Sequence, residues 1–264
     1  MKVALTIAGS DSGGAAGIQA DLRAFAAHRV FGTSAITAVT AQNTLGVTAV
    51  HVVPADIVTA QIEAVAADFP LDAVKTGMLA TTAIVEAVAA AIESLQLPRV
   101  VVDPVMVAAS GARLLEEEAV EALRRELLPL AAVVTPNAPE AEALTGRPVR
   151  TVADAREAAR AIRRLGAAAV IVKGGHLEGP EVVDVLDDGR EVVELRGPRV
   201  PGTSTHGTGC TFSAALAAGL ALGLPLAEAA ARAKAYVADA IRSAPGLGRG
   251  HGPLDHFPGG KMRA

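Results

Sequence analysis

The chain has 264 residues, of which 51% are hydrophobic and 20% are charged, and its formal net charge is −4. This apolar fraction excludes a disordered chain, and the slight negative charge excludes a general basic surface for nucleic acid or an anionic membrane. Aromatic residues make up only 2% of the chain, too few for platforms on which single strands stack. A single cysteine cannot form an internal disulfide or a thiolate metal cluster. We therefore expect a cytoplasmic protein that binds neither nucleic acid nor membranes.

Short apolar runs alternate with longer alanine-rich runs along most of the chain. Several of the short runs are continuous, which is typical of strands buried on both faces of a parallel sheet. They predict strands at Val3–Ala8, Ser34–Thr40, Ala73–Thr76, Val100–Asp103, Ala132–Thr135 and Ala168–Lys173. Many of the longer runs begin next to Ser, Thr, Asp or Pro, as helices do. They predict helices at Ala15–Ala27, Ala55–Ala66, Thr81–Leu95, Glu116–Leu128, Pro139–Leu144 and Val152–Leu165.

The pattern changes late in the chain. Glu181–Asp187 and Glu191–Leu195 flank an Asp-Gly pair, which predicts an antiparallel hairpin. Two helices follow at Thr208–Leu222 and Leu226–Ile241, and the apolar part of the first is too short to cross a bilayer. We predict one α/β domain spanning all 264 residues, with a loop-rich tail over residues 243–264. Its architecture is a three-layer sandwich, in which helices cover both faces of a mostly parallel sheet.

A glycine-rich segment from Gly9 to Gly17 directly follows the first predicted strand. Its glycines allow a ligand to approach the backbone, and the helix that follows would present free N–H groups. The spacing matches no dinucleotide-binding fingerprint, because neither Gly9 nor Gly13 has a glycine two places later. It matches no P-loop either, because Gly14 is not followed by a lysine. The first mismatch disfavours a dehydrogenase, and the segment remains either a ligand site or a tight turn.

A second candidate site is the segment His206-Gly207-Thr208-Gly209-Cys210, which runs into the uncharged late helix. The N–H groups from Gly207 to Cys210 at the start of that helix would form an anion hole. Cys210 lies in the first turn, where the positive end of the helix dipole lowers the pKa of a thiol. A lone cysteine is more often a small buried hydrophobic residue. Burial alone, however, does not require the Gly-Thr-Gly that precedes Cys210.

Polar residues follow several predicted strands: Gln42, Asp103, Asn137 with Glu140, and Lys173. Because ligands of open α/β sheets bind outside the carboxyl ends of the strands, we expect these residues to converge on one crevice. Asp103 and Glu140 could hold Mg²⁺ together with phosphates and water. Asn137 and Glu140 also resemble a helix-capping pair. The amide of Gln42 could read the edge of a heteroaromatic ring.

Taken together, these motifs resemble the ribokinase-like superfamily and, within it, the hydroxymethylpyrimidine/phosphomethylpyrimidine kinases of thiamine biosynthesis. Gly13 and Ala15 depart from the residues usual in that family's first loop. The resemblance runs in order through nearly the whole chain, at Ile7–Ser12, Gly17–Asp21, Thr37–Thr44, Lys75–Leu79, Asp103–Met106, Thr135–Asn137, Lys173–His176 and His206–Thr211.

The resemblance implies a ribokinase-like fold without a separate lid domain, and a homodimer. It also implies an ATP- and Mg²⁺-dependent kinase that phosphorylates 4-amino-5-hydroxymethyl-2-methylpyrimidine and then its monophosphate. The resemblance assigns Gln42, Gly9, Asp21, Met78 and Val105 to the pyrimidine pocket, and Lys173, Asn137 and Thr208 to the nucleotide. It assigns Asp103 and Glu140 to Mg²⁺ through water, and Gly207, Thr208, Gly209 and Cys210 to the reacting groups, with Cys210 as the base.

Two other functions stay open at this point. A pyridoxal or pyridoxine kinase of the same superfamily acts on a similar ring that carries a hydroxymethyl group. A non-catalytic ligand-binding homologue would keep the fold and lose turnover, but the presence of Asp103, Lys173 and Cys210 argues against it.

Overall fold

The computed structural model describes residues 1–108, 111–202 and 204–259. The strands in these residues are β1 (Val3–Asp11), β2 (Phe31–Asn43), β3 (Gly46–Val52), β4 (Ala73–Thr76), β5 (Val100–Val102), β6 (Val133–Val134), β7 (Val170–Val172), β8 (Glu181–Asp187) and β9 (Val192–Pro198). The α-helices are α1 (Gly17–Ala27), α2 (Ala55–Asp68), α3 (Thr82–Ser94), α4 (Glu117–Ala122), α5 (Ala138–Thr145), α6 (Val152–Arg163), α7 (Thr208–Ala221) and α8 (Leu226–Arg242).

The strands form one sheet in the order β3-β2-β1-β4-β5-β6-β7-β8-β9. The pairs from β2 to β7 are parallel, whereas β3 pairs antiparallel with β2, and β8 and β9 continue the other edge antiparallel. One core lies between the sheet and α2 to α6, and a second lies between the sheet and α1, α7 and α8. The predicted three-layer sandwich with a mostly parallel sheet and a late antiparallel hairpin is confirmed.

The structure differs from the prediction at one strand and at one helix. Strand β3 was not predicted, because its middle residues are exposed at the sheet edge and give no continuous apolar run. The predicted helix at Glu116–Leu128 is regular only as far as Ala122. It continues as a π-helical turn over Leu123–Leu127 and a 3₁₀ turn that contains Pro129, a residue that has no backbone N–H to donate.

Helix α7 is uncharged, and most of its residues are buried in the second core. None of the helices in the described part of the chain has the length and apolarity that a bilayer span needs.

The predicted loop-rich tail contains no helix or strand within residues 243–259, and its last five residues, 260–264, lie outside the described residues. Parts of the tail are nevertheless anchored. Leu254 and His256 are buried, and the N–H of His251 donates to the carbonyl oxygen of Thr44 at 2.9 Å. The tail therefore packs against the turn between β2 and β3.

Candidate active site

The carboxyl ends of the parallel strands open into a crevice of about 1460 Å³. A pocket for a single drug-sized ligand has roughly 300–1,000 Å³, so this crevice has room for two small substrates. The predicted site residues that line it are Gly9, Gln42, Met78, Asp103, Val105, Asn137, Glu140, Lys173, Gly207, Thr208, Gly209 and Cys210. The structure thus brings together every predicted site residue except Asp21.

The start of α7 forms one wall of the crevice. Gly207 has a left-handed backbone with φ of 82°, and a Cβ at this position would collide with the carbonyl oxygen of Ala15. Only glycine allows this close approach of two backbones. The N–H groups of Gly209 and Cys210 in the first turn have no partner within the helix. Such N–H groups at a helix start can bind an anion.

Lys173 and Asp103 form an ion pair directly beside this helix start. Lys173 Nζ lies 2.8 Å from Asp103 Oδ1. A Cβ at Gly209 would lie 3.1 Å from Lys173 Nζ and 3.8 Å from Asp103 Oδ2, so all three groups meet. Burial lowers the pKa of Lys173, but the carboxylates of Asp103 and Glu140 outweigh it and hold that pKa above its ordinary value. Lys173 is therefore a fixed positive charge next to the anion site.

Asn137 and Glu140 form the capping box that the sequence suggested. The Asn137 side-chain oxygen accepts from the N–H of Glu140 at 2.9 Å, and the N–H of Asn137 donates to Glu140 Oε2 at 2.7 Å. Burial raises the pKa of Glu140 to about 7, with Lys173 opposing the shift and Asp103 adding to it. Glu140 therefore caps helix α5, and its carboxyl group is buried close enough to Asp103 to be affected by that charge.

The pair of carboxylates fits a divalent cation. Asp103 and Glu140 are both buried, and the charge of Asp103 helps to raise the pKa of Glu140. Carboxylate oxygens are the ligands that Mg²⁺ prefers, and one or two of them are enough when phosphates and water supply the others. Within the described residues, no group of three or more His, Cys, Asp or Glu side chains could hold a metal. The arrangement therefore suits a metal that arrives with a phosphate ligand.

The predicted lowering of the Cys210 pKa is wrong. Burial raises the pKa of this thiol to about 11, and the nearby carboxylates of Asp21 and Asp103 add to the shift against the opposing charge of Lys75. The position of Cys210 at a helix start can be predicted from the sequence. Its burial depends on the packing of the rest of the fold, which no local sequence pattern shows. Cys210 is therefore a thiol at neutral pH.

Asp21, which the resemblance assigns to the pyrimidine pocket, is not among the residues that line the crevice. Its carboxylate lies beneath the crevice on α1 and is fully buried. Asp21 Oδ2 accepts hydrogen bonds from Lys75 Nζ at 2.8 Å and from Thr6 Oγ1 at 2.6 Å. Burial lowers the pKa of Lys75, but the Asp21 charge outweighs it and keeps the lysine protonated. Asp21 is thus one half of an internal ion pair and does not line the crevice.

The glycine-rich first loop does not present the free N–H groups that the sequence suggested. Asp11 takes them, since its carboxylate accepts from the N–H groups of Gly13, Ala15 and Ala16 at 2.8–3.0 Å. Burial raises the pKa of Asp11, but the hydrogen bonds from His206 and from the backbone outweigh it and keep that pKa below its ordinary value. The loop is therefore a turn closed by its own aspartate.

An apolar wall faces the start of α7 across the crevice. Met78 packs with Ala38 and Ala80, and Val105 lies against this cluster. A Cβ at Gly9 would lie 3.0 Å from the sulfur of Met78, so the glycine leaves the wall flat at this point. Such a wall suits the face of a small ring.

Sequence reasoning missed the contacts of Gln42. Its side-chain oxygen lies 2.9 Å from Thr40 Oγ1, and its nitrogen lies 3.1 Å from His206 Nε2. The same imidazole nitrogen lies 3.2 Å from Asp11 Oδ2. Asp11 and His206 are 195 positions apart in the chain, so no local spacing could have indicated their contact.

A three-layer sandwich of this topology, with an anion site at a late helix start beside a Lys–Asp pair, defines a small-molecule kinase of the ribokinase-like fold. Residues 11–255 match the model of the phosphomethylpyrimidine kinase family. The chain belongs to that family, which confirms the resemblance predicted from the motifs.

Known relatives agree with this assignment. The chain is 54% identical over 258 residues to a hydroxymethylpyrimidine/phosphomethylpyrimidine kinase of Rhizobium meliloti, with 97% of each chain covered. It is 52% identical over 253 residues to the thiamine biosynthesis bifunctional protein ThiED of Geobacter sulfurreducens. That match covers 96% of this chain but only 52% of the larger protein, so the chain spans about half of it. The ADP complex of Bacillus subtilis pyridoxal kinase has a similar structure, with a TM-score of 0.91, 42% identity and 98% of each chain covered.

Proposed function

We propose that this chain transfers a phosphoryl group from ATP to the hydroxymethyl group of hydroxymethylpyrimidine and then to its monophosphate, in thiamine biosynthesis. The observation that carries the proposal is the crevice itself. It combines an anion site beside a fixed lysine, an amide and an apolar wall, and it has room for two substrates. Relatives named as hydroxymethylpyrimidine/phosphomethylpyrimidine kinases match almost the whole chain.

The amide and the apolar wall bind the pyrimidine. The wall of Met78 and Val105 contacts one face of the ring. Gln42 reads the ring edge, because an amide can donate to a ring nitrogen and accept from the neighbouring amino group. These contacts leave the hydroxymethyl group of the ring to point toward the start of α7.

The start of α7 and Lys173 bind the phosphates of ATP. The N–H groups of Gly209 and Cys210 contact the transferred phosphoryl group, and Lys173 neutralises its charge. Phosphoryl transfer passes through a loose transition state, so positioning and charge neutralisation supply most of the catalysis. Asp103 and Glu140 would hold Mg²⁺ through water, and this ion would supply further neutralisation of phosphate charge when bound.

Cys210 is the proposed base, and its pKa makes the proposal testable. Only the thiolate can accept the hydroxyl proton, and burial sets the thiol pKa at about 11. The thiolate fraction, and with it kcat, should therefore rise about tenfold per pH unit between pH 6 and pH 9. Cys210→Ser should lower kcat roughly 10²–10⁴-fold, because a hydroxyl is far harder to deprotonate. The wild-type slope should disappear in the same variant.

A coupled assay of ADP release tests the function. We expect turnover with hydroxymethylpyrimidine and with its monophosphate, and no turnover of either would refute the proposal. Pyridoxal belongs in the same assay, because a pyridoxal kinase shares this fold at 42% identity. Efficient use of pyridoxal with no use of the pyrimidine would instead assign the second candidate function. A pH-independent kcat, or a Cys210→Ser variant with wild-type kcat, would remove the base role alone.

We also propose a homodimer that works in the cytoplasm. Val39 on β2 is 49% exposed, and Ala41 and Ala49 form an exposed cross-strand pair on the same face. A second copy of the chain would cover this small apolar face at the sheet edge. Light scattering should give twice the monomer mass for the wild type and the monomer mass for Val39→Glu, and a monomeric wild type would refute the dimer. The free thiol of Cys210 suits a reducing compartment.

A further inference from the structure

The hydrogen bonds around Gln42 are satisfied better by one orientation of its amide than by the other. The oxygen and nitrogen of an amide occupy nearly the same space, so the surrounding groups decide which is which. In the first orientation the Gln42 nitrogen faces His206 Nε2 at 3.1 Å, and its oxygen faces Thr40 Oγ1 at 2.9 Å. In the second orientation the two amide atoms are exchanged.

The first orientation creates two conflicts. The amide nitrogen needs a lone pair on His206 Nε2, but that lone pair would then face the carboxylate oxygen Asp11 Oδ2 at 3.2 Å. Two acceptors at this distance repel each other. In addition, Thr40 Oγ1 carries a single hydrogen, yet it faces two acceptors, the carbonyl oxygen of Ser10 at 3.1 Å and the Gln42 oxygen.

The second orientation removes the repulsion at Asp11 and the competition at Thr40. With its proton on Nε2, His206 shares this one hydrogen between Asp11 Oδ2 and the Gln42 oxygen in a three-centre hydrogen bond. The Gln42 nitrogen donates to Thr40 Oγ1, whose own hydrogen goes to the carbonyl oxygen of Ser10. The Asp11 carboxylate is buried and is held by three backbone N–H groups, so it stays an acceptor and keeps the proton on the imidazole.

We propose that His206, held by Asp11, is a positioning residue that fixes the Gln42 amide with its oxygen toward His206 and its nitrogen toward Thr40. An amide has two acceptor and two donor positions, and His206 and Thr40 occupy one of each. One acceptor and one donor remain, in a fixed order, for the ring edge. This inference rests on the proposed function, in which Gln42 reads the pyrimidine, and adds that His206 sets which ring edges are accepted.

The inference can be tested with two ligands whose ring edges carry hydrogen-bond donors and acceptors in opposite order. The aminopyrimidine presents a ring-nitrogen acceptor beside an amino donor, whereas its 4-oxo analogue presents a ring N–H donor beside a carbonyl acceptor. A misplaced edge leaves buried polar groups unpaired, so the wild type should bind the amino ligand roughly 10–100-fold more tightly in calorimetry without ATP. In His206→Leu the amide can turn, and the preference should fall below about 3-fold.

His206→Gln should restore most of the preference, because its side-chain N–H can donate to Asp11 from a similar position. His251→Leu is the matched control, since His251 is exposed and the only hydrogen bond of its side chain among the described residues is with the Thr205 hydroxyl, at 3.4 Å. It should keep the wild-type preference. The KM for ATP should stay within about twofold in all three variants, because the hydrogen bonds of the His206 side chain are with Gln42 and Asp11, and its backbone is unchanged.

The imidazole of the wild type supplies a second readout that needs no variant. Nitrogen-15 NMR should show His206 with its proton on Nε2, and a proton on Nδ1 alone would overturn the proposal. An unchanged preference in His206→Leu would overturn it as well. Failure of the wild type to bind either ligand would refute the proposed function instead, so the two failures can be told apart.

Discussion

Two lysine–aspartate pairs of equal length lie on the same sheet and have different surroundings. The Lys75–Asp21 and Lys173–Asp103 pairs both have N–O distances of 2.8 Å. Both side chains of the inner pair are 0% exposed, whereas Lys173 is 13% exposed and lines the crevice. The length of an ion pair therefore does not mark a functional site. The feature that separates the two pairs is that a ligand in the crevice can reach Lys173 and cannot reach Lys75.

The inner pair has its own effect on the site above it. Lys75 is a buried cation that lowers the pKa of Cys210, while Asp21 and Asp103 raise it. Asp21 Oδ1 is buried and has no hydrogen-bond partner among the described residues. The inner pair is thus incompletely satisfied, which makes each of its members depend strongly on the other.

The largest effect should come from breaking the inner pair. Lys75→Met leaves the Asp21 carboxylate buried without its counter-ion, and we expect the free energy of unfolding to fall by about 3–5 kcal/mol. Replacing both members, with Lys75→Met and Asp21→Leu together, should recover much of this loss, because no buried charge is left unpaired. Urea unfolding of the two variants measures both values. A single variant as stable as the wild type would show that the inner pair is not essential.

The crevice pair should respond in the opposite way. Lys173→Met removes the charge next to the anion site, and kcat/KM for ATP should fall roughly 10²–10³-fold. Stability should fall by about 1–3 kcal/mol, less than in Lys75→Met, because Asp103 loses its counter-ion but borders the crevice and keeps its contact with Thr135 Oγ1. Steady-state kinetics and urea unfolding of the same sample check the two numbers. A large loss of stability with normal kinetics would make this pair structural as well.

Much of the fold is predictable from the sequence because its central strands are covered on both faces. Such strands are continuous apolar runs, and Ala73–Thr76 was predicted with the observed bounds. The edge strand Gly46–Val52 was missed, since only one of its neighbours is a strand and its exposed residues need not be apolar. The hydrophobic pattern of the sequence therefore shows how completely a strand is buried. It does not show whether an exposed segment forms a strand.

The candidate site likewise has features that the sequence predicts and features that it does not. Asp103, Glu140 and Lys173 were predicted because strand order brings carboxyl ends together whatever the details of packing. The burial of Asp21 and the high pKa of Cys210 depend on which side chains pack beneath the crevice, and no local motif contains that information.

The smallest effect concerns His256 in the tail, a buried group that forms no ion pair with any of the described residues. It is 3% exposed, and its Nε2 lies 3.0 Å from Thr211 Oγ1. Burial lowers the pKa of His256 to about 4, and the charge of Arg23 adds to the shift. Lys75 is as deeply buried but keeps its proton because Asp21 faces it, so the partner decides the charge state.

The lowered pKa sets the sign of a pH effect on stability. Below pH 6.5 the unfolded chain binds a proton at this histidine, whereas the folded chain does not until about pH 4. The stability that His256 contributes is therefore present at neutral pH and is lost as the pH falls, by about 2 kcal/mol between pH 7 and pH 5. His256→Gln should flatten this part of the profile, while His51→Gln, which changes an exposed histidine, should not. Urea unfolding at both pH values measures the slopes. Equal slopes in the wild type and His256→Gln would mean that His256 is protonated in the fold, and that a buried group in this protein can hold its charge without a partner.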